Sequence, residues 1–242
     1  MRFALALVAA LGAAQWTNYP KTPDLKGPAP RSADGHPDLS GVWQADGQTY
    51  FFDLAAGLKP DQVVMLPWAL AEQQRRLARE HGDDPLAQCL PHGVPRINTN
   101  GLFPFKIIQT PKLVVILYEQ LNLFRQVFLD GRKMADDVNP TWLGYSVGHW
   151  EGDTLVVETR GFNDKTWLDT RMVRPASDAL KVTERFRRPT MGDLEIVATI
   201  DDPKTYAKPW TTTPQHNRLQ TDTDILEFIC AENEKDKAHM PR

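Results

Sequence analysis

Three charged residues fall where strand alternation calls for apolar ones. Arg125 shares alternate positions with Leu123, Val127 and Leu129; Glu184 shares them with Leu180, Val182 and Phe186; Glu227 lies between Ile225 and Ile229. Successive side chains of a strand point to opposite faces, so each charge shares the face of its apolar neighbours. A charge buried alone is costly, so if these faces point inward the three must pair or hydrogen-bond around something. An arginine with two carboxylates inside a β structure is a ligand site in outline, although a structural salt bridge, or strands apolar on both faces, fits the same pattern. His149 alternates with Tyr145 and Val147 beside the turn Glu151-Gly152-Asp153, and His92 stands in a Pro/Gly-rich loop. Imidazole suits proton transfer near neutral pH. Arg125, Glu184 and His149 are therefore the catalytic candidates: His149 or Glu184 would move a proton and Arg125 would stabilise developing negative charge. His36, His81 and His216 lie in polar stretches and read as surface residues.

Aromatic side chains crowd the same region, with Trp142, Tyr145, Trp150, Phe162 and Trp167 followed by Tyr206 and Trp210. They could line the mouth of a cavity and stack on a ring-shaped ligand. Trp43 and Trp150 suit core filling. Tyr145, Trp167, Asp169, Glu227 and Trp210 are the ligand-binding candidates. Asp164 and Asp169 flank Trp167 and offer acids, or simply turn formers. No HExxH, HxH or CxxC spacing occurs, so neither metal nor cofactor is expected. A Gly-x-Ser-x-Gly elbow, a Walker loop and a dinucleotide glycine fingerprint are also missing, which disfavours α/β-hydrolase chemistry and nucleotide binding.

The 242 residues, 41% hydrophobic and 24% charged with net charge −3, have an ordinary globular composition and give no electrostatic reason to expect nucleic acid as a partner. Met1-Arg2 followed by the apolar run to Ala14 has the layout of a secretory signal peptide, in preference to a buried helix, because a Pro-rich segment follows at once. That run is too short to span a bilayer, and no later stretch is long and apolar enough, so no integral membrane span is expected. The location implied is periplasmic or secreted. In that setting the two cysteines, Cys89 and Cys230, favour a disulfide over two buried thiols; closing so long a loop constrains the unfolded chain by up to about 5 kcal/mol.

Residues 1–14 are thus the signal peptide, 15–37 a proline-rich lead-in, and 38–242 one β domain. A helix is predicted from Pro67 to His81. Strands are predicted near Gly41, at Lys106–Gln109, Leu113–Glu119, Leu123–Leu129, in the hairpin around Glu151-Gly152-Asp153, and at Leu180–Arg187, Leu194–Ile200 and Asp224–Cys230. Short connections predict antiparallel neighbours, and so many strands beside one helix suggest a closed barrel, which leaves no exposed edge; a two-sheet sandwich is the alternative.

The Pro37–Trp43 opening, the Cys-Leu-Pro-x-Gly-x-Pro-Arg loop at 89–96, Gln109-Thr110-Pro111, Asp130-Gly131-Arg132, Trp150-Glu-Gly-Asp-Thr-Leu-Val-Val157, Gly161-Phe162, Trp167-Leu168-Asp169, Glu184-Arg185, Asp201-Asp202-Pro203 and Cys230-x-Glu-Asn form a series over nearly the whole mature chain. In these the chain resembles a group of uncharacterised exported bacterial proteins. It departs from them at Pro175-Ala176-Ser177, where relatives tend to carry Pro-His-Ser. More distantly, the meander and the Gly-x-Trp opening look like lipocalin-type barrels, which implies a cavity for a small apolar molecule. The reading is an exported protein that binds a small aromatic or lipophilic molecule in a barrel cavity. Its alternative is a cofactor-free lyase, isomerase or hydrolase working through the His/Glu/Arg cluster.

Overall fold

Along β8 (Asp193–Asp201), Leu194, Ile196, Ala198 and Ile200 are wholly buried, while the residues between them are partly exposed. That period of two makes a half-buried strand, and it recurs in β7 (Lys181–Thr190) and β3 (Leu113–Tyr118). The computed structural model describes residues 22–79, 83–135, 137–230 and residue 232; the expected signal peptide, the start of the lead-in and His81 lie outside them. The remaining strands are β1 (Gly41–Ala45), β2 (Phe105–Gln109), β4 (Leu123–Phe128), β5 (Tyr145–Glu151), β6 (Thr154–Arg160), β9 (Trp210–Thr211) and β10 (Gln215–Gln220). Helix α2 (Pro67–Ala78) stands where one was predicted, with proline in its first turn, and a four-residue helix α1 (Thr49–Phe52) was not foreseen.

The strands run in the order β10-β1-β2-β3-β4-β5-β6-β7-β8, and β8 pairs back to β10, so nine strands close into a barrel, with the short β9 lying end to end with β10 along the same edge of β8. The mainly β barrel is therefore as expected, and the sandwich is not formed. Two details differ from the expectation. The pairing of β4 with β5 is parallel. In a closed ring of nine, neighbours cannot all alternate in direction, so a parallel pair is obligatory. The predicted strand over Asp224–Cys230 is also absent; among the described residues the last strand is β10, and the later segment crosses the outside with Leu226 and Ile229 exposed.

Inside the ring, Trp43, Ile107, Ile116, Val127, Leu155, Val157, Val182, Phe186 and the β8 residues form one packed cluster. Each such side chain contributes about 1.5–3 kcal/mol by leaving water. The short turns 152–153 and 191–192 close one end. In the first of these, Gly152 has φ +59°, as the leading position of a two-residue hairpin turn requires. The long connections 46–104, 161–180 and 202–209 all leave from the other end and form a cap. Its parts are tied by Thr170 N–H to Phe51 O (2.8 Å), Arg171 N–H to Phe52 O (2.9 Å) and Tyr206 O–H to Pro175 O (3.0 Å). The Cys89–Cys230 disulfide joins the cap to the segment after β10, which is further held by Lys106–Asp224 at 2.8 Å. Among the described residues no helix is long and apolar enough to cross a membrane.

Candidate functional site

Arg125 and Glu184 point into the barrel, from β4 and β7, as alternation predicted. Their side chains meet there, with Arg125 Nη2 2.5 Å from Glu184 Oε2. Glu184 Oε1 accepts from Asn98 Nδ2 at 2.5 Å, and Asn98 Oδ1 accepts from Tyr118 O–H at 2.8 Å. Arg125 also donates to Ser146 Oγ (3.0 Å) and Thr159 Oγ1 (2.7 Å), and those two hydroxyls lie 3.0 Å apart on directly opposed residues of β5 and β6. Burial opposes the Arg125 charge, but the neighbouring Glu184 holds its pKa above the ordinary value. Burial likewise pushes the Tyr118 phenol well up, so it stays protonated.

This network lies just behind a gap in the wall. β4 and β5 share only the register pairs Val127–Ser146 and Phe128–Val147, so the first half of β4 has no strand across the seam. Arg125 staples that seam from within, since its bonds reach β5, β6 and β7. Outside the gap opens a cleft of about 480 Å³. Phe124, Phe128, Trp142, Leu143 and Tyr145 line it, with Arg125 among them. Phe128 and Tyr145 stack at 5.4 Å, and the Arg132 guanidinium lies 3.8 Å over the Phe128 ring while donating to Tyr145 Oη at 3.0 Å. Arg125 Nη1 is buried and has no hydrogen-bond partner among the described residues.

The other predicted site residues lie elsewhere. His149 is on the outside of β5, 3.3 Å from Glu151, because the inward positions of that strand are Ser146, Gly148 and Trp150. At Gly148 a Cβ would come within 3.0 Å of Val127 Cγ1 and 2.9 Å of Leu129 Cδ2, so glycine is needed where the strand touches the core. The set of His149, Glu184 and Arg125 is therefore not assembled. Glu227 is exposed beyond the last strand. Trp167 and Trp210, expected in accessible loops, are buried in the cap: Arg76 lies 4.6 Å over the Trp167 ring, and Trp210 packs edge-on against Tyr206 at 5.6 Å. Asp169 is wholly buried, ion-paired with Arg174 and accepting from Leu54 N–H at 3.1 Å; burial raises its pKa against the pull of Arg174. Of the five ligand-binding candidates, Tyr145 alone lines this cleft. Asp164 is exposed, and His36 stacks on Trp150 at 4.6 Å.

His92 is wholly buried in the cap, beside the Phe51 ring at 6.0 Å, and neither ring nitrogen has a partner among the described residues. Burial, aided by the Arg96 charge, holds its pKa well below the ordinary 6.5. Above that pH both folded and unfolded chains carry a neutral ring. Below it the unfolded chain takes a proton that the folded chain refuses, so stability falls as pH falls, by about 1.4 kcal/mol per pH unit. Urea denaturation from pH 7 down to 5 should show this component in the native chain and lose it in His92→Gln.

Sequence reasoning missed Asn98 and Tyr118. Tyr118 shares its face with Val114 and Ile116, which marks it as inward; Asn98 sits in a short 3-10 turn (Arg96–Thr99) with no local sign of its role. Comparison with family models, with curated proteins and with solved structures finds no match to this chain. The function is therefore argued from geometry.

Proposed function

We propose that the protein binds a small, flat, largely apolar molecule carrying an acidic or hydrogen-bond-accepting group in the cleft at the β4–β5 seam. The observation that carries this is an aromatic wall with Arg125 among the lining residues, one of whose guanidinium nitrogens has no hydrogen-bond partner among the described residues. The stacked Phe128 and Tyr145 suit a ring, and Arg125 suits an acceptor. Binding is favoured over acid–base catalysis because both Glu184 oxygens are engaged and His149 is on the outside. The disulfide and the N-terminal apolar run support export, and the motif series supports membership of the group of exported bacterial proteins.

The test titrates aromatic carboxylates and their uncharged parent hydrocarbons into the purified chain, reading heat and tryptophan fluorescence, to which Trp142 in the cleft contributes. Acids should bind at least tenfold more tightly than the hydrocarbons, about 1.4 kcal/mol, and Leu143→Asp should abolish binding. Saturable binding that ignores Leu143→Asp, or no binding by any of these compounds, would overturn the proposal.

A further inference from the structure

The outer face of the seam where β8 meets β10 carries a second cluster, unconnected with the cleft. His216 is registered directly opposite Glu195, and Asp193 lies two residues before Glu195 on the same face. One ligand atom from each of the three lies within 4.8 Å of the others, and His216 Nδ1 is 3.2 and 3.3 Å from the two Asp193 oxygens. The carboxylates are mostly covered, each side chain 17% exposed, while the imidazole is 45% exposed and reachable. Two covered carboxylates at this spacing repel, and a cation between them relieves that repulsion. Arg187 supplies one, donating through Nε (2.9 Å) and Nη2 (2.5 Å) to Glu195 Oε2. Glu195 Oε1, the Asp193 carboxylate and the imidazole remain to face a second.

We propose that Asp193, Glu195 and His216 bind a divalent transition ion of the zinc type. One imidazole nitrogen with carboxylate oxygens is a donor set that suits zinc, copper or nickel, whereas calcium and magnesium take oxygen donors alone. Three protein donors leave a position for water. The scaffold is favourable, because all three stand on two hydrogen-bonded strands and not on loops. Motif spacing carries no sign of the site, since Asp193 and His216 are brought together only when the barrel closes. An ion held there ties β8 to β10 across the pairing that completes the ring.

The experiment uses the full chain, stripped with a chelator and titrated with zinc or cobalt salts by calorimetry and by cobalt absorption. One ion should bind per chain and raise the thermal midpoint. His216→Ala and Asp193→Asn should each weaken binding at least ~10-fold. Arg187→Ala should strengthen it, because the competing guanidinium is removed from Glu195. Circular dichroism checks that these surface variants stay folded. Absence of stoichiometric binding, or binding unchanged in both His216→Ala and Asp193→Asn, would overturn the proposal.

Discussion

Glu184→Ala is expected to cost about 3–5 kcal/mol of stability in urea denaturation, because it leaves the Arg125 guanidinium inside the barrel without its counter-charge. Arg125→Ala should cost a similar amount by stranding the carboxylate. Removing both charges together has a different result. Arg125→Met with Glu184→Leu replaces a desolvated pair by apolar groups of similar size, and such exchanges are often neutral or stabilising by about 1–4 kcal/mol. The double variant should therefore be far more stable than either single alanine variant. Single variants that lose less than about 1 kcal/mol would mean that water reaches the pair and relieves it. Hydrogen exchange gives an independent reading: the double variant lacks the bonds to Ser146 and Thr159, so amides around the β4–β5 seam should exchange faster even where global stability is kept.

Replacing Cys89 and Cys230 by alanine should lower stability by up to about 5 kcal/mol, since the bond closes a loop spanning 141 residues and the unfolded chain gains that freedom when it is lost. The urea midpoint should drop accordingly. Folded contacts change little, because the segment after β10 keeps Lys106–Asp224 and the two bonds of the Asn122 side chain to the Phe228 backbone. The binding proposed for the cleft should survive, since neither cysteine lines it. A loss below about 1 kcal/mol would show that the unfolded chain is already compact around that loop.

Most strands could be found in the sequence because their buried faces alternate cleanly, as in Val182, Glu184 and Phe186 or Leu194, Ile196 and Ala198. The failures have physical causes. β10 reads Gln-His-Asn-Arg-Leu-Gln, with Gln215 and Asn217 buried, so no apolar period betrays it; it is a strand because β1 and β8 pair with it on both sides. Asp224–Cys230 has strand-like composition but no partner, and stays irregular. In β5 the face was misassigned because Gly148 holds an inward position without an apolar side chain, which sent His149 inward on paper and outward in the fold. The Arg125–Glu184 pair was foreseeable from charges on apolar faces. Its remaining members come from a turn and from small hydroxyls whose meaning depends on strand register. Trp167 and Trp210 have polar sequence neighbours because the cap is itself built from buried ion pairs, such as Arg174–Asp169 and Arg96–Asp84.

The odd strand count has a mechanical consequence. A ring whose members reverse at every step must somewhere place two travelling the same way, and the chain has to climb back along the wall to reach that place. At this one joint the hydrogen-bond lacing is shortest, so the cylinder should loosen there first while the rest of the wall stays shut.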